Sequence, residues 1–168
     1  MRVLYAGYPA ALETLRCLNQ VWPGRASRSR EGGRARWRSR GAALCRRVYG
    51  TVYGRLLRTV HDLHPDLAVW MQESGYGRVL SRPGLSARDR ELITVVVLAE
   101  TGWERQLTSH VMGALRLGAR PAQILQAVRA SSGVPPADEV RRAWSAAFGA
   151  DPWRRRRRDG RRRRVGSD

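Results

Sequence analysis

The sequence feature that most constrains the fold is the apolar stretch Ile93–Ala99, which lies between signals for the start and the end of a helix. Ser86, followed three residues later by Asp89, resembles a capping box and predicts that a helix begins just after it. Gly102 predicts the end of that helix, and a second helix is predicted over Trp103–Leu117. Because the stretch is apolar on every side, we expect the first helix to form the buried centre of the fold.

Most of the remaining chain also repeats its apolar residues at helical period. Apolar residues recur at steps of three and four over 43–60 and predict one long amphipathic helix. Pro65 suits the first position of a further helix, Gly75 predicts its end, and Gly75–Leu85 predicts an irregular connection. Two shorter helices are predicted over Pro121–Ala130 and Ala137–Phe148. No segment predicts a strand, so the expected fold class is all-α, a bundle of about seven helices.

The positive charge is concentrated in two segments of the chain. All 32 basic residues are arginines, and the formal net charge is +18. The segments richest in arginine predict a solvated linker over 25–41 and a disordered tail over 151–168. The linker separates an N-terminal helical segment, 1–24, from a mildly basic helical domain, 42–150, which the tail follows. Polyarginine attracts phosphate, so we expect the tail to bind nucleic acid or another polyanion only incidentally.

The cysteines and the N-terminus exclude several other classes of protein. Cys17 and Cys45 have neither metal-binding nor redox spacing, so we predict no metal site and expect both thiols to be buried. The N-terminal residues lack the apolar core of a signal peptide. The longest apolar run is too short to span a membrane. The sequence therefore favours a cytoplasmic protein that makes no membrane contact.

The helical hairpin around Gly102 brings two ionisable residues to a similar height. Glu91 lies 11 residues before this glycine and His110 lies 8 residues after it, which places them about 16 and 12 Å above the turn. An antiparallel pair of helices would thus place a carboxylate next to an imidazole, with open space expected at Gly113. Such a pair is either an acid–base unit or a satisfied structural contact, and geometry alone leaves both interpretations open.

The spacing of these residues resembles a known motif. The chain reads Glu91-x11-Trp103-x2-Gln106-x3-His110, which is similar to the Glu-x11-Cys-x2-Cys-x3-His motif of AhpD-type proteins with both cysteines replaced. Residues Gly75–Ala119 also resemble the carboxymuconolactone decarboxylase branch, in their Arg-Pro-Gly-Leu and His-x2-Gly-Ala-Leu segments. The resemblance implies an AhpD-like helical bundle that lacks the catalytic cysteine pair and assembles as a trimer or hexamer.

The resemblance to the decarboxylase branch implies a reaction that needs no metal or organic cofactor. In the decarboxylation of a carboxylated lactone, His110 would donate a proton to the developing enolate and Glu91 would orient the imidazole. The substrate would be a small carboxylate, and an arginine would hold its carboxylate group. The candidate substrate-binding residues are Arg82, Arg88, Arg90, Trp103 and Gln106.

Two alternative functions remain open at this stage. The first is an antioxidant protein of the alkylhydroperoxidase or peroxiredoxin type, which would have to use a thiol other than the missing pair, such as Cys45. The second is a helical oligomeric scaffold or polyanion-binding protein without catalysis. The alternatives differ in whether Glu91 and His110 meet at an open cavity and in whether the Cys45 thiol is accessible.

Overall fold

All regular structure in the described part of the chain is helical. The computed structural model describes residues 2–23, 32–132 and 138–149 of the 168. The α-helices are α1 Arg2–Tyr5, α2 Gly7–Val21, α3 Arg34–Tyr49, α4 Tyr53–Leu63, α5 Pro65–Trp70, α6 Ala87–Thr101, α7 Glu104–Arg116, α8 Pro121–Ser132 and α9 Asp138–Phe148. A 3-10 turn, Gly50–Val52, precedes α4, and a π-helix, Met71–Leu80, continues α5. The all-α prediction is confirmed, and within these ranges no helix is both long and apolar enough to cross a membrane.

The α6–α7 hairpin forms where the sequence predicts it. The backbone N–H of Asp89 donates to Ser86 Oγ at 3.1 Å, and Ser86 Oγ donates to Asp89 Oδ2 at 2.7 Å, so the capping residues hold the start of α6. Gly102 ends α6 in the left-handed conformation, with φ of 73°. Val95 and Leu98 in the centre of α6 are completely buried, as the apolar stretch predicts.

Two apolar clusters flank the hairpin. The first lies among α6, α7, α8 and α9 and contains Val95, Leu98, Leu107, Val111, Ala114, Ala119, Ile124, Val128 and Trp144. The second lies between α3 and the π-helix and contains Leu44, Cys45, Val48, Tyr49, Tyr76 and Leu80. Packing of α7 against α3 joins the two, and Arg116 Nη1 donates to the carbonyl oxygen of Val48 at 2.8 Å across this contact.

The predicted linker over 25–41 is wrong for residues 34–41, because α3 has already begun there. Residues 24–31 and the predicted tail over 151–168 lie outside the described residues. Close packing against the π-helix accounts for the difference. A side chain at Gly41 would collide with the backbone of Gln72, and one at Gly77 would collide with the backbone of Trp37. Arg40 Nη2 also donates to the carbonyl oxygen of Gly77 at 2.9 Å. These contacts outweigh the polar composition of the segment.

Two further predicted boundaries are also wrong. The single helix predicted over 43–60 is interrupted by the 3-10 turn, because Gly50 adopts a φ of 57° that a helix does not contain. The helix that starts at Pro65 does not end at Gly75 but continues as a π-helix to Leu80. Burial of Tyr76 and Leu80 against α3 stabilises this segment in spite of its two glycines.

The N-terminal segment contacts the hairpin through its first helix, α1. Helix α1 contacts α6, whereas α2 has no buried residue. Cys17 lies on α2 and is exposed, so the prediction that both cysteines are buried holds for Cys45 alone. Glycine at position 7, with φ of 77°, allows the turn between the two helices.

Candidate active site

Glu91 and His110 meet in the interior of the hairpin. His110 Nδ1 lies 2.7 Å from Glu91 Oε2, and the two side chains are only 3% and 2% exposed. A carboxylate accepts hydrogen bonds, so with Glu91 ionised the Nδ1–H group of His110 donates to it. The contact predicted from helix geometry is therefore confirmed, and it leaves Nε2 of the imidazole free to face other groups.

Gly113 is packed rather than open. A Cβ atom at this position would lie 2.6 Å from Val48 Cγ1 and 2.9 Å from Glu91 Oε2. The prediction of open space beside His110 is therefore wrong, because α3 and the Glu91 carboxylate fill it. Glycine is required at this position because a larger side chain would displace Glu91 from its contact with His110.

Three tyrosines line the other side of the imidazole. Tyr5 Oη lies 3.3 Å from His110 Nε2, and the two rings meet edge to face with centroids 5.5 Å apart. The Tyr49 ring lies 6.2 Å from the imidazole, and Tyr76 Oη donates to Tyr49 Oη at 3.1 Å. Sequence reasoning missed Tyr5 and Tyr49, because Tyr5 is 105 residues from His110 and an aromatic residue in a helix more often belongs to a core.

Burial keeps these phenols protonated. Burial raises the pKa of Tyr5 well above its ordinary value, and the negative charge of Glu91 adds to this shift. Burial raises the pKa of Tyr49 to about 12, and burial followed by the neighbouring Tyr49 raises the pKa of Tyr76 well above its ordinary value. All three hydroxyl groups are therefore hydrogen-bond donors near neutral pH.

A cavity of about 370 Å³ opens next to His110. Its walls are mainly aromatic and apolar, and within the described residues no arginine and no carboxylate lines it. Gln106 is one of the lining residues, whereas Trp103 lines an adjoining pocket of about 310 Å³ together with Gln106. The lining residues are Leu4, Tyr5, Tyr49, Leu67, Trp70, Met71, Ser74, Gly75, Tyr76, Leu80, Gln106 and His110.

The three candidate arginines lie elsewhere. Arg88 forms an ion pair with Asp89 at 3.0 Å on the surface. Arg90 is buried, and its Nη2 donates to the carbonyl oxygens of Arg82 and Pro83 at 2.7 and 3.0 Å. Arg82 and Arg90 line a separate pocket. The structure thus joins Glu91 and His110 but places none of these arginines at the cavity beside them.

The environment of Cys45 disfavours a reactive thiol. The side chain is completely buried, and burial followed by the negative charge of Glu91 raises its pKa to about 12. Since the thiolate is the nucleophile in thiol chemistry, a thiol of this kind reacts slowly near neutral pH. In the described ranges, histidine, cysteine, aspartate and glutamate do not form a group of three that could hold a metal ion.

The fold and the pair define the class to which this protein belongs: an all-α protein whose two central helices join a carboxylate and an imidazole beside an aromatic cavity. Within this class, the chain belongs to the carboxymuconolactone decarboxylase family, whose sequence model matches residues 65–149. It is 33% identical over 89 residues to "Peroxisomal protein 2" of Schizosaccharomyces pombe, covering 52% of this chain and 42% of that protein. It is also 33% identical over 64 residues to the 4-carboxymuconolactone decarboxylase of Acinetobacter baylyi, covering 38% and 48%. The chain spans less than half the length of these curated relatives.

Proposed function

We propose that Glu91 and His110 form the acid–base unit of a decarboxylase that acts on a small carboxylated substrate, such as a carboxylated lactone, without a cofactor. The observation that carries the proposal is the buried 2.7 Å contact between the two side chains, with His110 also lining a 370 Å³ cavity. A cavity of this size is in the range that binds small molecules. A purely structural pair would not require such a space beside the imidazole.

The proposed reaction breaks the bond between the substrate carboxylate and the neighbouring carbon. Carbon dioxide leaves, and the electron pair passes into an adjacent carbonyl group to form an enolate. The carbon then takes a proton from the His110 imidazolium, either directly or through the hydroxyl group of Tyr5, which lies 3.3 Å from Nε2. Glu91 orients the ring and stabilises its charged form, and solvent returns the consumed proton.

The apolar walls support the first step of this reaction. A carboxylate that enters a cavity with mainly apolar walls loses its hydration, and the negative charge becomes dispersed as carbon dioxide forms. The protonated Tyr5 and Tyr49 can donate hydrogen bonds to the oxygen on which the charge develops. Within this proposal, Gln106 contacts the substrate, whereas Trp103 borders the adjoining pocket.

We further propose that the chain belongs to a branch of the family that works without a cysteine pair. Trp103 and Gln106 occupy the two positions that hold cysteine in the AhpD-type motif. The buried Cys45, with its raised pKa, is a poor replacement for a thiolate that attacks peroxide. These observations favour acid–base chemistry over an antioxidant role.

The test is turnover of 4-carboxymuconolactone, measured as release of carbon dioxide by the full chain and by His110→Ala. We expect the variant to lose at least about a hundredfold in rate, the lower end of what a general acid contributes. His61→Ala is the matched control, because that histidine is exposed on α4 and lies outside the cavity. Equal rates in the parent and in His110→Ala, at equal helicity, would remove the acid–base role; no turnover by the parent would remove this substrate.

A further inference from the structure

A second pocket lies beside the start of α6 and carries a charge that the proposed decarboxylation does not use. It measures about 260 Å³, and four arginines line it: Arg40, Arg47, Arg82 and Arg90. Its other walls are largely apolar and include Leu44, Leu80 and Leu85. Leu80 also lines the cavity beside His110, so the two spaces lie on either side of one leucine.

The four guanidinium groups have no carboxylate partner in the described part of the chain. The carboxylates of this region bind other groups: Glu73 pairs with Arg34 and Arg38, Asp89 with Arg88, and Glu91 with His110. Burial and the positive charge of Arg82 lower the pKa of Arg90, which reflects a site without a compensating negative charge. Clustered cations without a carboxylate favour the binding of an anion.

Two of the arginines are held in position before any ligand arrives. Arg90 is 97% buried, and a single terminal nitrogen donates to both loop carbonyl oxygens, of Arg82 and Pro83. Arg40 Nη2 donates to Gly77, whereas Arg40 Nε is buried without a hydrogen-bond partner. A buried donor without an acceptor is rare, and a bound anion would satisfy it.

The backbone adds to the positive potential. Ala87, the first residue of α6, lines the pocket, so the pocket lies beside the N-terminus of a 15-residue helix. The partial positive charge at a helix N-terminus favours a negative group there. The helix dipole, the guanidinium cluster and the unpaired Arg40 Nε therefore all favour a negatively charged ligand.

We propose that this pocket binds a small molecule that carries a carboxylate or phosphate group on an apolar body. The oxyanion contacts the arginines, which match its geometry with two parallel donors each. The apolar part of the ligand packs against the leucines. The site is separate from the acid–base pair, and the proposal does not depend on the decarboxylation.

The test uses phenyl phosphate and benzoate as the two anionic probes, with benzamide as the neutral control. Each is titrated into the full chain in 150 mM salt, and binding is followed by the shifts of backbone amide resonances. We expect saturable shifts centred on Ala43, Leu85 and Ala87 with either anion and none with benzamide. The tighter of the two anions identifies the oxyanion that the pocket prefers.

Paired variants separate the pocket from the general positive charge of the chain. Arg47 and Arg82 are both exposed, so Arg47→Gln with Arg82→Gln should preserve the fold and weaken binding by about tenfold or more. The control, Arg55→Gln with Arg88→Gln, removes the same charge from exposed residues outside the pocket and should change affinity less than twofold.

Three outcomes would overturn the proposal: equal weakening in both pairs, shifts spread over the whole surface, or equal binding of benzamide. If the double variant loses helicity, the single variants Arg47→Gln and Arg82→Gln replace it, and each should weaken binding severalfold. Binding should also persist in His110→Ala, because that residue lies in the other cavity. Loss of binding in His110→Ala would mean that the anion binds in the cavity beside His110, which would contradict the proposal.

Discussion

Two neighbouring residues of α6 take part in two different sites. Arg90 and Glu91 are both at most 3% exposed, yet Glu91 pairs with His110 and Arg90 binds the loop that precedes α6. One step along a helix turns the side chain by about 100°, because a turn contains 3.6 residues. The buried carboxylate therefore contacts the histidine at the wall of a cavity that no described arginine lines, and the buried guanidinium lines a pocket together with three further arginines. A single helix thus keeps the proposed acid–base pair apart from the proposed anion site.

The two buried charges are stabilised in different ways. Glu91 faces a second ionisable group, so its environment changes when His110 gains or loses a proton. Arg90 faces neutral carbonyl groups, so its environment is fixed. This difference suits a proton-transfer pair on one side and a preorganised binding group on the other.

The largest expected effect is on the catalytic side. Glu91→Gln keeps the shape of the side chain but removes the charge that orients and stabilises the imidazolium. We expect kcat for the carboxylated lactone to fall about a hundredfold or more with little change in KM. Binding of phenyl phosphate should stay within twofold of the parent.

Steady-state kinetics and the amide-shift titration check this prediction side by side. Glu100→Gln, on the exposed surface of the same helix, is the control and should leave kcat unchanged. If Glu91→Gln lowered both kcat and the affinity for phenyl phosphate, the two pockets would not act independently.

The next effect concerns the packing that holds the pair together. Gly113→Ala places a methyl group 2.6 Å from Val48 Cγ1 and 2.9 Å from Glu91 Oε2, so we expect a loss of about 1–3 kcal/mol in the free energy of unfolding. Gly54→Ala is the control, because its added methyl would meet only Arg58 Nη1, at 3.8 Å. That change should stabilise the protein by about 0.4–1 kcal/mol. Urea denaturation measures both, and equal shifts in the two variants would contradict the tight packing at Gly113.

The sequence predicted the hairpin and its central pair because both depend on local rules. Capping at Ser86, the turn at Gly102 and the rise per residue of a helix together set the heights of Glu91 and His110. The closeness of Val48 to Gly113 could not be predicted, since it depends on how α3 packs. The contact of Tyr5 with His110 could not be predicted either, since it depends on how distant parts of the chain pack together.

Composition misled the sequence analysis where tertiary packing outweighs it. Residues 34–41 are rich in arginine and resemble a linker, yet the close approach of Gly41 and Gly77 to neighbouring backbones holds them in a helix. Arg82 and Arg90 were candidates because of their positions near the hairpin. Helical phase directs Arg90 away from His110, which spacing along the sequence does not reveal without the fold.

A smaller effect concerns the stability of the fold at high pH. The raised pKa of Cys45, about 12 against an ordinary 9, means that the folded state favours the neutral thiol. This stabilisation is complete below pH 9 and is lost as the pH rises through 12, so the free energy of unfolding should fall by on the order of 1 kcal/mol at pH 10.

Urea denaturation at pH 8 and pH 10 measures this slope. Cys45→Ala should remove about 1 kcal/mol of the fall between pH 8 and pH 10, whatever the cost of the smaller side chain at both pH values. The buried tyrosines, whose pKa values are also raised, account for the fall that remains. Cys17→Ala, on exposed α2, should leave it unchanged. An unchanged slope in Cys45→Ala would show that the thiol is not held neutral by its burial.

The smallest expected effect is the one that most sharpens the comparison. Arg82→Gln removes an exposed guanidinium that lines the pocket of four arginines but not the cavity beside His110. We expect kcat/KM for the carboxylated lactone to stay within about twofold and the free energy of unfolding within about 0.5 kcal/mol. The same variant should still weaken phenyl phosphate binding severalfold. A tenfold loss of kcat/KM would instead mean that the substrate carboxylate reaches Arg82, and that the two pockets act as one site across Leu80.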